Sequence, residues 1–415
     1  WGFFPSLSAG WRVSEESFAK QWSWLSNLKL RGSWGQLGNQ NVGLYPYQDL
    51  LSTTSYPFNE LDPGVQLTRL VDKTLKWETT TMTDVGVDLD IKNGIFSLTA
   101  DWYNKVTDNI LYQIPVPASV GLSSPTVNYG KMKNTGWEIE VGHRNHFGDF
   151  AYGVRVNLSA NKNEVLHVKS PSYDGNYTIQ EGLPFNSFYL IPWTGILQSQ
   201  EEIEKGPQYP YSPKPGDLKY DDTNHDNVID AKDRVVVPGA YPKFFYGGSI
   251  DLSWKNFDLT MFWQGVGKRS QFLRGDIVEA FHNNEDHAMV QHLDHWTPTN
   301  PDATYPRLTI GSADANNFAY SDYWLFDTKY LRLKNFQLGY NLPSSLVNRA
   351  RIQGVRIYFT SQNLITIMPE RFRELGVDPE FTQFDDKLSM SNYNPIAGRN
   401  YPNAATFAFG VDVKF

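Results

Sequence analysis

Along most of this chain apolar and polar side chains alternate one for one, the period of a β-strand whose two faces meet different surroundings. Val85, Val87, Leu89 and Ile91 alternate with Asp84, Gly86, Asp88 and Asp90, Lys92-Asn93-Gly94 turns the chain, and Phe96, Leu98, Ala100 and Trp102 resume the pattern. Two more hairpins follow the same rule: Trp137, Ile139 and Val141 against Val154, Val156 and Leu158, and Ile250, Leu252 and Trp254 against Leu259, Met261 and Trp263. Further strands are predicted at 3–13, 28–37, 329–342, 355–362 and 404–415, giving eleven in all. The apolar phase switches from Leu331 and Leu333 to Phe336 and Leu338, which predicts a bulge near Lys334. Helix is expected only at 15–24 and 344–350, with helical composition but no clean periodicity over 276–296.

The last strand is the most informative. Phe407, Phe409, Val411, Val413 and Phe415 share one face, and Ala408, Gly410, Asp412 and Lys414 the other. At the edge of a soluble sheet this face would be an aggregation hazard, whereas a strand closing a membrane barrel meets hydrocarbon on one side and pairs along its edge. Connection lengths decide between the two. Those at Asn93, Phe147 and Asn256 are tight and those at 15–25 and 343–354 moderately short, while the segments near 39–76, 111–134, 163–243, 268–327 and 363–403 are long. Short and long alternate, as short periplasmic turns and long extracellular loops do in an antiparallel transmembrane β-barrel with a periplasmic C-terminus. A crossing by residues 185–195 would break that parity, so they are assigned to a loop.

Composition agrees. Of 415 residues, 25 are Phe, 23 Tyr and 13 Trp, yet mean hydropathy is only -0.46. That mixture suits alternating strands with aromatic girdles and excludes membrane helices, for which no apolar run is long enough. A net charge of -8 argues against nucleic acid, and the absence of Cys excludes thiol chemistry. The opening Trp1-Gly2-Phe3-Phe4-Pro5 has no Met and no signal-peptide features, so the chain is expected to be a C-terminal portion.

Several ordered motifs resemble those of SusC/RagA-type TonB-dependent transporters of Bacteroidota: Arg31-Gly32-Ser33-Trp34-Gly35, Leu75-Lys76-Trp77-Glu78, Asn134-Thr135-Gly136-Trp137-Glu138, Gly216-Asp217-Leu218-Lys219-Tyr220, Trp296-Thr297-Pro298 and Leu331-Arg332-Leu333-Lys334-Asn335-Phe336. The resemblance implies a 22-stranded barrel of which this chain supplies the second half, with the plug and TonB box outside it. It further implies the bacterial outer membrane, import of an oligosaccharide or peptide without covalent chemistry, energy from TonB, and a SusD-like lipoprotein as a lid. The terminal face of Phe407, Phe409, Val411, Val413 and Phe415 resembles the signal for barrel assembly. The alternative from the residues alone is a soluble secreted glycan-binding or glycan-degrading β protein, although no repeat of propeller period is visible.

One candidate site stands out. Asp222, Asn224, Asp226, Val228 (through its carbonyl), Asp230 and Asp233 fall at the ligand spacing of a calcium loop, with Asn227 in place of the usual Gly and Asp233 in place of the usual Glu. A structural calcium stiffening an extracellular loop is expected there, with Ile229 tucked beneath. His282, His287, His292 and His295 lie near Glu279, Glu285, Asp286 and Asp294, but their irregular intervals fit a solvated loop helix better than a metal site. Loop aromatics such as Tyr47, Tyr173, Tyr177, Tyr209, Tyr211, Trp324 and Tyr401 either stack on a ligand or pack the loops together. Lumen-facing Asp84, Asp88, Glu138 and Glu140 read as wet interior wall.

Overall fold

The computed structural model describes residues 2–40, 47–57, 61–113, 116–275, 277–281, 287–310, 316–347, 351–381 and 401–415. Alternation along the chain produces eleven strands that pair in chain order into one antiparallel sheet. They are β1 (Ser6–Arg12), β2 (Leu25–Asn39), β3 (Glu78–Ile91), β4 (Phe96–Gln113), β5 (Thr126–Phe147), β6 (Phe150–His167), β7 (Phe244–Trp254), β8 (Phe257–Val266), β9 (Tyr330–Asn341), β10 (Gly354–Ile367) and β11 (Thr406–Lys414). The sheet is open, with β1 and β11 at its edges, and is thus a partial barrel. Its strand number, its order and its three tight hairpins are those the alternation predicts. The bulge at Lys334 is also present: Phe262 pairs with Asn335 and Trp263 with Leu333, leaving Lys334 without an opposite number.

Register shows what the alternation is for. Leu30, Val87, Ala100, Ile139, Leu158 and Tyr246 stand side by side across β2 to β7, while one residue along the row reads Arg31, Gly86, Asp101, Glu138, Ser159 and Phe245. The first row belongs to the outer, apolar face and the second to the inner wall. On β11, Phe407, Phe409 and Val411 are 61%, 83% and 61% exposed, an orientation suited to hydrocarbon and unsuited to water.

The strands run further than the sequence suggests. β5 has 22 residues and β6 has 18, where a tilted strand crosses a bilayer in roughly 9–11. Loop parity assigns their joining turn at Gly148 and Asp149 to the short-turn side of the sheet, so the surplus stands on the side of the long connections. The connection expected over 111–134 accordingly contracts to 114–125.

Helix is scarcer than expected. In place of the helix expected over 15–24, a 3-10 turn at Val13–Glu15 with no side-chain cap is followed by plain turns. Residues 344–350 give one turn, Ser344–Val347, before the described residues stop. Among the described residues of 276–296 the helical element is the 3-10 turn Val290–Leu293, and its His292 is buried, correcting the expected solvated helix.

A sheet wet on one face and lipid-coated on the other has no core, and the core lies in the loops. Phe188, Leu190, Leu218, Tyr220, Ile229, Phe272, Tyr323, Trp324, Phe326 and Phe372 pack into one buried cluster drawn from the connections 168–243, 267–329 and 368–405. Short strands frame it: Ser187–Leu190 pairs with Tyr177–Ile179 and Val235–Val237, Trp193–Ile196 with Leu218–Tyr220, and Ser270–Phe272 with Leu325–Asp327. Residues 185–195 therefore stay within a loop, as parity requires. Together these connections form a folded cap on the long-loop side of the sheet.

His292 is locked into this cap. Its Nδ1 accepts from the Met289 N–H at 2.9 Å and its Nε2 donates to the Val278 carbonyl at 3.0 Å, so the ring is neutral. Burial pushes its pKa below the usual histidine value. A histidine depressed in the folded state gives stability that is complete above its unfolded pKa of about 6.5 and is lost as pH falls towards the folded value. We predict a falling thermal midpoint of the cap between pH 7 and pH 5, read by tryptophan fluorescence in detergent, and a flatter profile in His292→Gln.

Candidate functional site

The inner wall is a polar surface held in shape by its own ion pairs. On β2, Arg31 reaches across β3, its Nη2 2.6 Å from Asp101 Oδ2, its Nε 3.3 Å from Asp88 Oδ2 and its Nη1 3.6 Å from Asp84 Oδ1. Gly86 makes the reach possible, since a Cβ there would sit 2.6 Å from the guanidinium carbon. Nearer the closing edge, Arg356 Nε lies 3.1 Å from Asp258 Oδ1 and its guanidinium 5.0 Å from the Tyr358 ring centroid, above Gly339. The acidic residues taken from the sequence as wet wall are thus mostly paired: Asp84 and Asp88 with Arg31, and Glu140 with Arg155 at 3.3 Å.

Cap and wall are joined by a second ionic group. Arg332, 4% exposed on β9, lies 3.0 Å from Asp378 Oδ1 and 2.9 Å from Glu380 Oε1, and Lys334 at the bulge also reaches Glu380 at 2.9 Å. Arg269 donates to the carbonyl of Pro379 and to the hydroxyl of Thr328. Two arginines and a lysine therefore hold the segment around Asp378 against the wall. Nothing in the sequence pairs positions 332 and 378, beyond the bulge that turns Lys334 towards them.

The expected calcium turn has part of the required form. Asn227, sixth in the loop, has φ +64, Ile229 is buried beneath and Asp233 is fully buried. Its oxygens are engaged internally: Asp222 accepts from the N–H groups of Asp226 and Asn227, and Asp233 from those of Thr223 and Asp230. The Lys232 ammonium lies 3.6 Å from Asp226 and 3.3 Å from Asp230, and the hydrogen bond to Asp230 raises its pKa. Among the described residues no three His, Asp or Glu side chains converge as a metal site. The histidines do not gather either: both His292 nitrogens are used, His295 Nδ1 contacts the His292 carbonyl at 2.9 Å, and His282, Glu285 and Asp286 lie outside the described residues.

The loop aromatics divide in two. Trp324 is 2% exposed, and Tyr177 and Tyr209 pack against the same core, where burial raises their pKa values. Tyr47, Tyr173, Tyr211 and Tyr401 remain exposed in the long connections. A further exposed surface escaped the sequence analysis: the hairpin of Leu51–Pro57 and Leu61–Leu67 forms its own two-stranded sheet. Its paired residues Leu51 and Leu67, Thr53 and Val65, and Pro57 and Leu61 share one face, with Leu51, Leu61 and Val65 64%, 73% and 59% exposed. The signal was the alternation in 51–67, hidden by the interrupting Pro57, Pro63 and Gly64.

Comparison with known proteins agrees with this architecture. The family described as TonB dependent receptor-like, beta-barrel, matches residues 1–364. TonB-dependent receptor P3 of Formosa agariphila is 30% identical over all of this chain and 42% of its own length, and TonB-dependent receptor SusC of Bacteroides thetaiotaomicron 27% identical over all of this chain and 40% of its own. A chain of the RagAB peptide transporter superposes with a TM-score of 0.73 at 22% identity, covering 99% of this chain and 43% of that one. The chain spans less than half the length of these relatives. A soluble secreted protein is excluded, and the chain belongs to the TonB-dependent receptor β-barrel family, of SusC/RagA type, in the bacterial outer membrane.

Proposed function

We propose that this chain is the closing half of the wall, with its extracellular cap, of an active importer for an oligosaccharide or a peptide. A SusD-like surface lipoprotein would act as its lid, and TonB would act through a plug in the rest of the protein. The observation that carries the reading is the stacking of a polar inner wall beneath a folded extracellular cap, which makes a lined passage in place of a packed interior. The apolar face of the hairpin at 51–67 supports a protein partner outside the cell. An isolated two-stranded hairpin is marginal in water, and this one leaves its apolar face to be covered. Co-purification of the intact protein in mild detergent should bring down a lipoprotein with a glycan or peptide trapped beneath it, and Val65→Asp should cut lid retention at least about tenfold. A protein that purifies alone, whatever residue 65 is, would refute the lid.

The turn at 222–233 is read as a calcium brace of the cap, with Asp222, Asn224, Asp226, the Val228 carbonyl, Asp230 and Asp233 as donors. Hard oxygen ligands at calcium spacing and the left-handed Asn227 support it. Binding must displace Lys232, so affinity should be modest. Millimolar calcium should raise the thermal midpoint of the wild type and not of Asp226→Asn; an unchanged midpoint in both rules calcium out.

Phe407, Phe409, Val411, Val413 and Phe415 are read as an assembly signal, since they form a continuous, exposed apolar face on and just after β11. Deleting Phe415 should lower surface levels several-fold in cells; normal levels would contradict this role.

A further inference from the structure

We propose that the outer face of β4 to β6 carries a docking strip for the phosphate of an anionic lipid headgroup, formed by Lys133 and Lys162 with Lys131 beside them. Register fixes where the strip lies. Val85, Trp102, Trp137 and Ala160 stand side by side across β3 to β6 on the apolar outer face, and the next row on that face reads Thr83, Asn104, Thr135 and Lys162. The row beyond it reads Thr81, Val106, Lys133 and Glu164, and no bulge breaks the parity between these rows. On β5 the stretch from Phe147 to Trp137 has the length of one tilted crossing, roughly 9–11 residues, with Ile139 and Val141 facing outward within it. Lys133 therefore projects sideways just beyond the apolar band, at the depth of the headgroups and away from the lumen.

The charges in the strip do not cancel. Lys131 lies 2.9 Å from Asp108 and Lys162 3.0 Å from Glu164, while Lys133, opposite Glu164 in register, makes no ion pair among the described residues. Three ammoniums thus share two carboxylates, on a chain whose net charge is -8. Lys133 and Lys162 are diagonal neighbours on adjacent strands, about 7–8 Å apart at the backbone, so both can reach one phosphate. Thr135 donates its hydroxyl to Asn104 Oδ1 at 2.9 Å, which leaves the amide NH2 of Asn104 as a further donor beside them. An excess ammonium directly above a tryptophan row has a definite complement, a phosphate whose acyl chains lie against Trp102 and Trp137. A zwitterionic headgroup brings its own cation and gains little from the excess charge. Free phosphate gains nothing from the tryptophans.

Native mass spectrometry of the intact protein in detergent, titrated with phosphatidic acid, with phosphatidylcholine of the same acyl chains or with inorganic phosphate, tests the strip. The wild type should retain phosphatidic acid about tenfold more than phosphatidylcholine and should bind no inorganic phosphate. Lys133→Gln combined with Lys162→Gln should remove the preference, and Glu164→Gln, which releases Lys162, should increase it. Retention of the heat-modifiable gel band shows that each variant has folded. Equal retention of the two lipids by the wild type, a preference that survives the double substitution, or inorganic phosphate bound as well as the lipid would overturn the proposal. So would loss of the co-purifying lipoprotein from the double variant with its lipid preference intact, because the strip would then contact a protein. The import reading is independent of this strip and stands or falls on lid co-purification by the wild type.

Discussion

A sheet whose faces meet hydrocarbon and an aqueous lumen cannot bury itself, and that constraint shapes the whole chain. Backbone groups in the bilayer must be paired, so the strands run in unbroken antiparallel order, β2 to β10 each pairing with a neighbour on both sides. Side chains must then alternate between two solvents. The outward row through Leu30, Val87 and Ile139 and the inward row through Arg31, Asp101 and Glu138 are one backbone read at even and odd positions. A one-residue slip would put Arg31 into lipid.

Because the sheet offers no dry interior, hydrophobic packing has moved to the connections. Three long loops pool their apolar residues around Phe188, Phe272 and Trp324 and build short strands of their own. The cap so formed is tied to the wall where wall and loop meet. Arg332 and Lys334 reach Asp378 and Glu380 because the bulge breaks the strict alternation of β9 at that level. Burying Arg332 and Asp378 is tolerable because each answers the other, and removing either would leave a buried charge unpaired.

Glycines set the shape of the wall between these ties. Gly86 lets one guanidinium serve three carboxylates, and Gly410 lies beneath the Tyr358 ring, where a Cβ would come within 2.2 Å. Each small residue opens space for a long side chain on the next strand, so the lumen is lined by crossing polar arms.

What the sequence determined by itself is what depends on uninterrupted strand period and on connection length. Alternation located the eleven strands, the tight turns at Asn93, Gly148 and Lys255 set their pairing, loop parity kept residues 185–195 out of the sheet, and the phase switch located the bulge. These are local signals, carried by neighbouring residues. The calcium spacing was legible in the same way, but not the Lys232 ammonium that lies against two of its donors. Only the tertiary structure decided which loop residues share a core, that His292 is buried and neutral and not solvated, and that Arg332 meets Asp378. Those contacts join residues far apart in the chain, and no periodicity encodes them, because pairing across a folded surface depends on where strands and loops bring their side chains together.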